Sequence, residues 1–487
     1  MDQLTIREIT DASEGTLLSG EESKCIRNIC TDSRVAKEDS LFIPLIGENH
    51  DAHDFIPGAY EQGYRAFLVS KEEAAPKDAA VVLVDDTLKA MQRIARYYLD
   101  KIDVRRIAVT GSVGKTTTRD MLYYILSEKY RTGRPEKNYN NLVGVPLTVF
   151  QMDSRIEAVV FEEGMDRLGM IHDETWITRP EVGIITNVGI SHMERLGSRE
   201  NIRKAKLEIA DFFDENNTLV INASNDMLAE YEFPGTYKVV RVGFGDDSDP
   251  SSESAVGSGK LAEKPAAPKA PDFDYTVTDV KEHGIDGISF TLTHGEESRA
   301  IRLLVPGAHN AMNAALAIAG AEAFCGISTE EAVRGLSKLD LTGKRLKVRK
   351  ANGITVIDDS YNAAPESMKS AIRTLEATGA SRRVAVFGGM NELGQDSEMR
   401  HYEIGRFAAE HGVSLVISVG SKARAIYEGA RGAGCDAKWY PSNFCLFEEL
   451  DSMIRQGDVI LTKGSNATRM DLVADQLLRT GVRYAGK

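Results

Sequence analysis

The sequence predicts an α/β fold in three domains, and three observations lead there. A chain of 487 residues is longer than one hydrophobic core serves, so several domains are expected. From residue 104 onward, short continuous apolar runs alternate with amphipathic helical stretches, the pattern of parallel sheets covered on both faces. Residues 109–118 read Val-Thr-Gly-Ser-Val-Gly-Lys-Thr-Thr-Thr, and they follow an apolar strand and open a helical pattern. The expected layout is a mixed α/β domain over 1–103, a central P-loop ATPase-type parallel sheet over 104–339, and a Rossmann-like domain over 340–487.

In the first domain, Ser40–Ile46 and Ala66–Val69 read as strands. Thr87–Tyr98 has helical spacing, with Thr87 expected as its N-cap. The central domain offers strands at Ile107–Thr110, Ala158–Phe161, Val182–Thr186 and Leu219–Asn222. Residues 246–272 are rich in Ser, Pro, Ala and charge, too poor in apolar surface to order themselves, and read as a surface insertion. Strand patterns resume at Tyr275–Val280 and Ile288–Thr293. The last domain carries strands at Thr355–Asp358, Val384–Phe387, Leu415–Val419 and Val459–Leu461 between helical stretches. Its Val386-Phe-Gly-Gly-Met390 is not followed by G-x-G-x-x-G, so bound NAD is not expected.

An apolar content of 42% with 27% charged residues describes an ordinary globular protein. The net charge of −14 argues against nucleic acid, whose phosphates need a basic face. The five cysteines form no C-x-x-C pair and are odd in number, which points away from zinc and disulfides and toward a reducing compartment. The N-terminus lacks the basic and apolar regions of a signal peptide, and no apolar stretch is long enough to span a bilayer. A cytoplasmic monomer without membrane insertion is the expectation.

The turn at 111–117 carries the chemistry. Glycines let backbone N–H groups close around phosphate oxygens, and the helix that follows adds positive potential at its N-terminus. Gly111, Ser112, Val113, Gly114, Lys115, Thr116 and Thr117 are therefore expected to hold ATP, with Lys115 on the terminal phosphates and Thr116 on Mg²⁺. The common fingerprint has a glycine five residues before Gly114, where this chain has Val109. Glu162 and Glu163 close the strand beginning at Ala158, and His192 lies beyond the strand ending at Thr186. Neighbouring strand ends are where such sheets bind ligands, so Glu162, His192 and Thr116 are candidates for metal. Taken alone, Glu162 reads as a solvated loop carboxylate and His192 as a surface or capping histidine. Lys204 and Lys206 sit on a helical stretch from about Arg199 to Phe213 that reads as an exposed charged face. Pro306–Asn313 reads as a helix start, and Asp358-Asp359 as a cap, a ribose contact or a metal contact.

These segments together resemble the Mur ligases. The resemblance runs through Thr31-Asp-Ser-Arg34, Thr110–Thr118, Asn138-Tyr-Asn-Asn-Leu-Val-Gly-Val-Pro-Leu-Thr148, Thr186-Asn-Val-Gly-Ile-Ser-His192, Lys204-Ala-Lys206, His309-Asn-Ala-Met-Asn313, Asp358-Asp-Ser-Tyr-Asn362, Gly389-Met-Asn-Glu-Leu-Gly394 and Lys463-Gly-Ser465. It implies an ATP-dependent amide ligase of peptidoglycan precursor synthesis. The Asn138–Thr148 and Asp358–Asn362 stretches resemble the branch that adds D-alanyl-D-alanine to a UDP-N-acetylmuramoyl tripeptide. The first domain would then bind the UDP-sugar, with Ser33, Arg34, Asn138 and Asn141 on substrate. The resemblance makes Lys115, His192 and Lys206 catalytic, and places Thr116, Glu162, His192 and a carbamylated Lys206 on Mg²⁺. Asn313, Arg345 and Asp359 would meet the adenine, the phosphates and the ribose. Three stretches depart from the family pattern: Asp51-Ala-His53, Asn362-Ala-Ala-Pro365, and Gly343-Lys-Arg345, where the register favours Arg345 over Lys344 as the cation. A sister amide ligase, a nucleotide-driven switch and an inactive UDP-sugar-binding homologue are the competing readings.

Overall fold

The computed structural model describes residues 1–480 apart from 48, 75, 77 and 246–272, so the expected insertion at 246–272 lies outside the described residues. Three parallel-rich sheets organise the chain. The first has the order Thr16–Ser19, Ala80–Leu83, Ala66–Val69, Ser40–Phe42, Asn28–Cys30. Only its first pair is antiparallel. The strand expected over Ser40–Ile46 stops at Phe42. Pro44 has no N–H to donate, so the ladder cannot run through it. Thr87 is not the cap of its helix, which spans Thr87–Lys101. Asp86 is, its carboxylate accepting from Leu88 N and Lys89 N. The Thr87 hydroxyl instead donates to Pro44 O in the interior, 2.7 Å away.

The second sheet has nine strands in the order Glu297–Leu303, Ile288–His294, Tyr275–Glu282, Lys238–Phe244, Thr218–Asn222, Val182–Ile185, Arg105–Thr110, Ala158–Glu162, Thr132–Gly133. Its first three strands are joined antiparallel and the rest parallel. The alanine-rich helix His309–Cys325 lies against this sheet so closely that a Cβ on Gly320 would come within 2.5 Å of Ile184 Cδ1. The helix expected to reach Phe213 runs over Arg199–Leu207 and tightens to a 3₁₀ turn at Glu208–Ala210.

The third sheet has the order Lys347–Ala351, Ile354–Asp359, Val459–Lys463, Arg383–Gly388, Leu415–Val419, Asp436–Tyr440 and is parallel after its first pair. Among the described residues no helix is long and apolar enough to cross a membrane.

The cores show how the sheets are joined. Tyr98, Ile102 and Val104 pack in one buried cluster with Val145, Val149, Met152 and Phe161, and the buried Tyr98 hydroxyl donates to Met152 O at 2.9 Å. Continuous apolar burial thus fuses the first sheet's layer to the second. The third sheet has its own cores, drawn from residues 346–477, with Ile285 and Leu478 as partly buried apolar neighbours from outside that range. Its links to the second sheet's residues near the turn at 111–114 are polar.

Candidate active site

The strand Arg105–Thr110 lies between Val182–Ile185 and Ala158–Glu162 and delivers the turn at its C-terminal end. Val109 is paired with Glu162 and Ile184 and fully buried. The strand therefore continues where the common fingerprint already turns, and the first glycine comes at 111. Gly111 has φ +148° and a Cβ there would lie 1.8 Å from Thr186 Oγ1. Gly114 has φ +87° and a Cβ would lie 2.5 Å from Asn313 Oδ1. Both positions are closed to side chains. The turn is braced from the next strand end. Asn187 Oδ1 accepts from Ser112 N at 3.0 Å and Val113 N at 2.9 Å, and Gly189 N donates to Ser112 Oγ at 2.9 Å. Lys115 folds back over the turn, donating to Gly111 O at 2.7 Å. Burial lowers its pKa, partly opposed by Glu162.

Behind Lys115 lies a buried charged cluster. Thr116 Oγ1 donates to Glu162 Oε2 at 2.6 Å, Arg119 Nη1 reaches the same oxygen at 3.2 Å, and Asn140 Nδ2 donates to Glu162 Oε1 at 2.9 Å. Thr117 beside Thr116 is buried as well. Burial pushes the Glu162 pKa up, but Arg119, Arg345 and Lys115 outweigh it and hold the acid ionised. An ionised carboxylate beside a hydroxyl, at the mouth of a phosphate turn, is an oxygen donor pair that suits Mg²⁺. Among the described residues no three His, Cys, Asp or Glu side chains converge as a ready-made metal centre, so this pair needs further oxygen donors to complete a coordination shell.

Lys206 does not belong to an exposed face. Lys204 is exposed, whereas Lys206 is 2% exposed, because residues two apart on a helix point to opposite sides. Burial drives the Lys206 pKa well down and the charge of Lys115 adds to this, while Glu174 opposes it. No hydrogen bond or ion pair engages its Nζ among the described residues. Burial thus favours the uncharged amine, and only an uncharged amine adds CO₂. Glu163, beside Glu162, turns the other way and accepts from Thr175 and Thr178 hydroxyls at 2.9 and 2.6 Å. Burial raises it to about 7. Glu174 is fully buried too, accepts from Gly164 N at 3.0 Å, and is raised well above the carboxylate range by burial and Glu163.

His192 has φ +65°, and its Nδ1 lies 2.6 Å from Glu392 Oε2, across from the third sheet. No hydrogen bond or ion pair joins it to Glu162 or Lys206 among the described residues. Asn313 donates to Asn310 Oδ1 at 2.9 Å, which leaves its own carbonyl oxygen facing Gly114. Arg345 stacks on Tyr361 at 4.1 Å and acts electrostatically on both Lys115 and Glu162. Lys344 points away and pairs with Asp471 at 2.8 Å. Asp359 is bound by Lys463 Nζ at 2.6 Å and Leu346 N at 3.3 Å. Burial raises its pKa against the pull of Lys463. Asp358 is occupied by Ser360 and Arg349.

Lys115, Thr116, Glu162, Lys206, Asn313 and Arg345 are thus brought around one turn. Arg34 is exposed and chelated by Asp32, with Ser33 beside it, on a loop that Tyr64 holds through Asp32 O and Val35 O. Asn141 Oδ1 accepts from Val143 N and Gly144 N just before the helix Gly144–Val149. Asn138 bonds Asn140 in both directions at 3.1 Å. Asn140, which touches Glu162, is the residue the sequence reading passed over within its own motif. Arg119, Asp120 and Glu174 were passed over as well, and Lys463 was singled out without a role. A charged side chain following a phosphate-turn lysine was the available signal for Arg119.

Matches to known proteins follow this geometry. Residues 25–99 match the model of the Mur ligase family catalytic domain, 109–321 the Mur ligase middle domain, and 344–466 the Mur ligase glutamate ligase domain. The chain is 35% identical to UDP-N-acetylmuramoyl-tripeptide–D-alanyl-D-alanine ligase of Bacillus subtilis (strain 168), covering 98% of each chain. It is 32% identical to the enzyme of that name from Escherichia coli (strain K12), over 99% of this chain and 100% of that one. A crystal structure of MurF from Acinetobacter baumannii superposes with a TM-score of 0.86 at 28% identity, covering 98% and 99%. The three-sheet architecture and full-length similarity agree, and the chain belongs to the Mur ligase family.

Proposed function

We propose that this protein joins D-alanyl-D-alanine to a UDP-N-acetylmuramoyl tripeptide at the expense of ATP, in peptidoglycan precursor synthesis. The observation that carries the proposal is the convergence of Lys115, Thr116, Glu162 and Arg345 on one glycine turn, with the buried Lys206 behind it. A carboxylate is a poor electrophile for an amine. Transfer of the γ-phosphoryl group to it gives an acyl phosphate, the amine of the dipeptide adds to the carbonyl carbon, and inorganic phosphate leaves.

Lys115 swings from Gly111 O to the terminal phosphates, and Arg345 offsets charge on the transferred oxygens. Thr116 and Glu162 would hold Mg²⁺, which would supply charge neutralisation to the phosphates. Lys206, as its carbamate, and His192 would supply a second set of ligands. Asn313 fixes the base end by its contact line to Gly114, and Asp359 serves the ribose. Ser33, Arg34, Asn138 and Asn141 serve the nucleotide-sugar substrate. Closure of the third sheet's layer over the turn keeps water from the acyl phosphate. The enzyme so described works in the cytoplasm, where ATP is supplied.

The test is a mass-shift assay with UDP-N-acetylmuramoyl tripeptide and ATP·Mg²⁺. Product is expected with D-alanyl-D-alanine, not with single amino acids, and not with Lys115→Ala. Product with a single amino acid, or undiminished product from Lys115→Ala, overturns the proposal.

A further inference from the structure

Two adjacent charged residues on the phosphate-turn helix Lys115–Leu126 are turned inward. Arg119 is 2% exposed and Asp120 fully buried. Burying two charges is costly unless every polar site is used. Here they are used, on each other, on Thr342 and on Glu162. Arg119 Nε and Nη2 donate to Asp120 Oδ1 at 3.0 and 2.6 Å. Nη2 also donates to Thr342 Oγ1 at 2.6 Å, while Thr342 N and Oγ1 both donate to Asp120 Oδ2 at 2.7 Å. Arg134, lying over the Tyr123 ring, comes within 3.0 Å of Asp120 Oδ1 from the other side. Arg119 Nη1 meanwhile touches Glu162 Oε2, the oxygen that Thr116 also contacts.

Thr342 lies in the connection between the second and third sheets, three residues before Arg345. That connection is bent by left-handed residues at Gly343 (φ +81°) and Leu346 (φ +49°). Its far end is fixed by Leu346 N donating to Asp359. Arg345 therefore hangs on a short segment pinned at both ends. A three-residue tether keeps its Cα within about 10 Å of the Thr342 pin.

We propose that Arg119 and Asp120 are positioning residues: they clamp Thr342 and thereby aim Arg345 at the phosphates held by the turn. The inference rests on the ligase reading for the role of Arg345, but the clamp itself is independent of it. A buried ion pair adds little net stability, and fixing a register is its best-attested use. The same guanidinium spans the Glu162 carboxylate and the interdomain connection. Occupation of the nucleotide site and placement of the third sheet's cation are thus set by one side chain.

Thr342→Val removes both hydroxyl contacts without changing shape, and Thr342→Ser keeps them. For Thr342→Val, kcat is expected to fall about 10- to 100-fold, the cost of misplacing a charge-neutralising group by about 1 Å. The Kd for ATP·Mg²⁺ by calorimetry is expected to stay within about threefold, because the turn is untouched. In the ligand-free protein, hydrogen exchange of residues 339–346 is expected to quicken in Thr342→Val and not in Thr342→Ser. Turnover and exchange of Thr342→Val equal to the parent overturn the proposal, as does a serine variant as impaired as the valine one. If the parent forms no product, the ligase reading fails, while the exchange comparison still decides whether the clamp exists.

Discussion

Gly114 offers the sharpest test of how the turn is built. Replacing it by alanine imposes two separable burdens. The first is conformational: at φ +87° an L-residue is strained by about 1–2 kcal/mol. The second is steric: the new Cβ would sit 2.5 Å from Asn313 Oδ1. A carbon and an oxygen rest at about 3.3–3.6 Å, so the two groups must part by roughly 1 Å. Gly326, with φ +63° and no atom within 4 Å of its would-be Cβ, carries the first burden without the second. It ends the helix His309–Cys325, at the far end from Asn313. Gly326→Ala is expected to lower the thermal midpoint by a few degrees and leave nucleotide affinity alone. Gly114→Ala is expected to lose similar stability, to weaken ATP binding about tenfold, equivalent to about 1.4 kcal/mol, and to slow turnover about 100-fold. Differential scanning calorimetry, titration with a non-hydrolysable ATP analogue and steady-state kinetics read the three quantities. Equal ATP affinity and turnover in the two variants would refute the claim that Asn313 and Gly114 set the nucleotide pocket together.

Two further outcomes follow from the buried charges. Burial lowers the Lys206 pKa from its ordinary 10.5, so between the folded value and 10.5 the unfolded chain binds more protons than the folded one, and stability rises with pH toward 10.5. Lys206→Met, of similar volume, should therefore raise the thermal midpoint in bicarbonate-free buffer at pH 7 by about 2 °C or more while abolishing ligation. A fall would mean that the lysine is charged and paired. Glu163 has the opposite sign: its acid is raised from 4.5 to about 7, so the stability it permits is complete below pH 4.5 and lost as pH rises through 7. Relative to the parent, Glu163→Gln should gain about 2–3 kcal/mol between pH 5 and pH 8 in chemical denaturation. A pH-independent difference would place Glu163 in contact with water.

The glycine turn at 111–114 was legible because backbone conformation dictates it. Gly111 and Gly114 occupy positions where a side chain would strike Thr186 or Asn313, so residue type and spacing carry the geometry. Glu162 was legible for a related reason, since it ends a strand and strand ends of such sheets converge. The choice of Arg345 over Lys344 came from register, and the two side chains do part, one over Tyr361 and the other to Asp471. Burial of Lys206 could not be read, since helical spacing fixes a direction and the covering groups come from elsewhere in the chain. The clamp was hidden for the same reason: Asp120 and Thr342 are 222 residues apart. The cap of the helix Thr87–Lys101 was misplaced by one residue because Asp86 and Thr87 are both capping types. Only the fold shows that the threonine hydroxyl is already engaged by Pro44 O. The antiparallel strand Glu297–Leu303 escaped because it alternates weakly, with four exposed residues in succession at its start.

The central claim is that the turn at Gly111–Thr116 delivers phosphate to a substrate carboxylate before the new bond forms. Isotope transfer tests it directly. With ¹⁸O in both oxygens of the tripeptide's terminal carboxylate, one labelled oxygen should appear in each inorganic phosphate released on addition of ATP·Mg²⁺ and D-alanyl-D-alanine. Unlabelled phosphate accompanying product would show that the carboxylate is never phosphorylated, and would contradict the account.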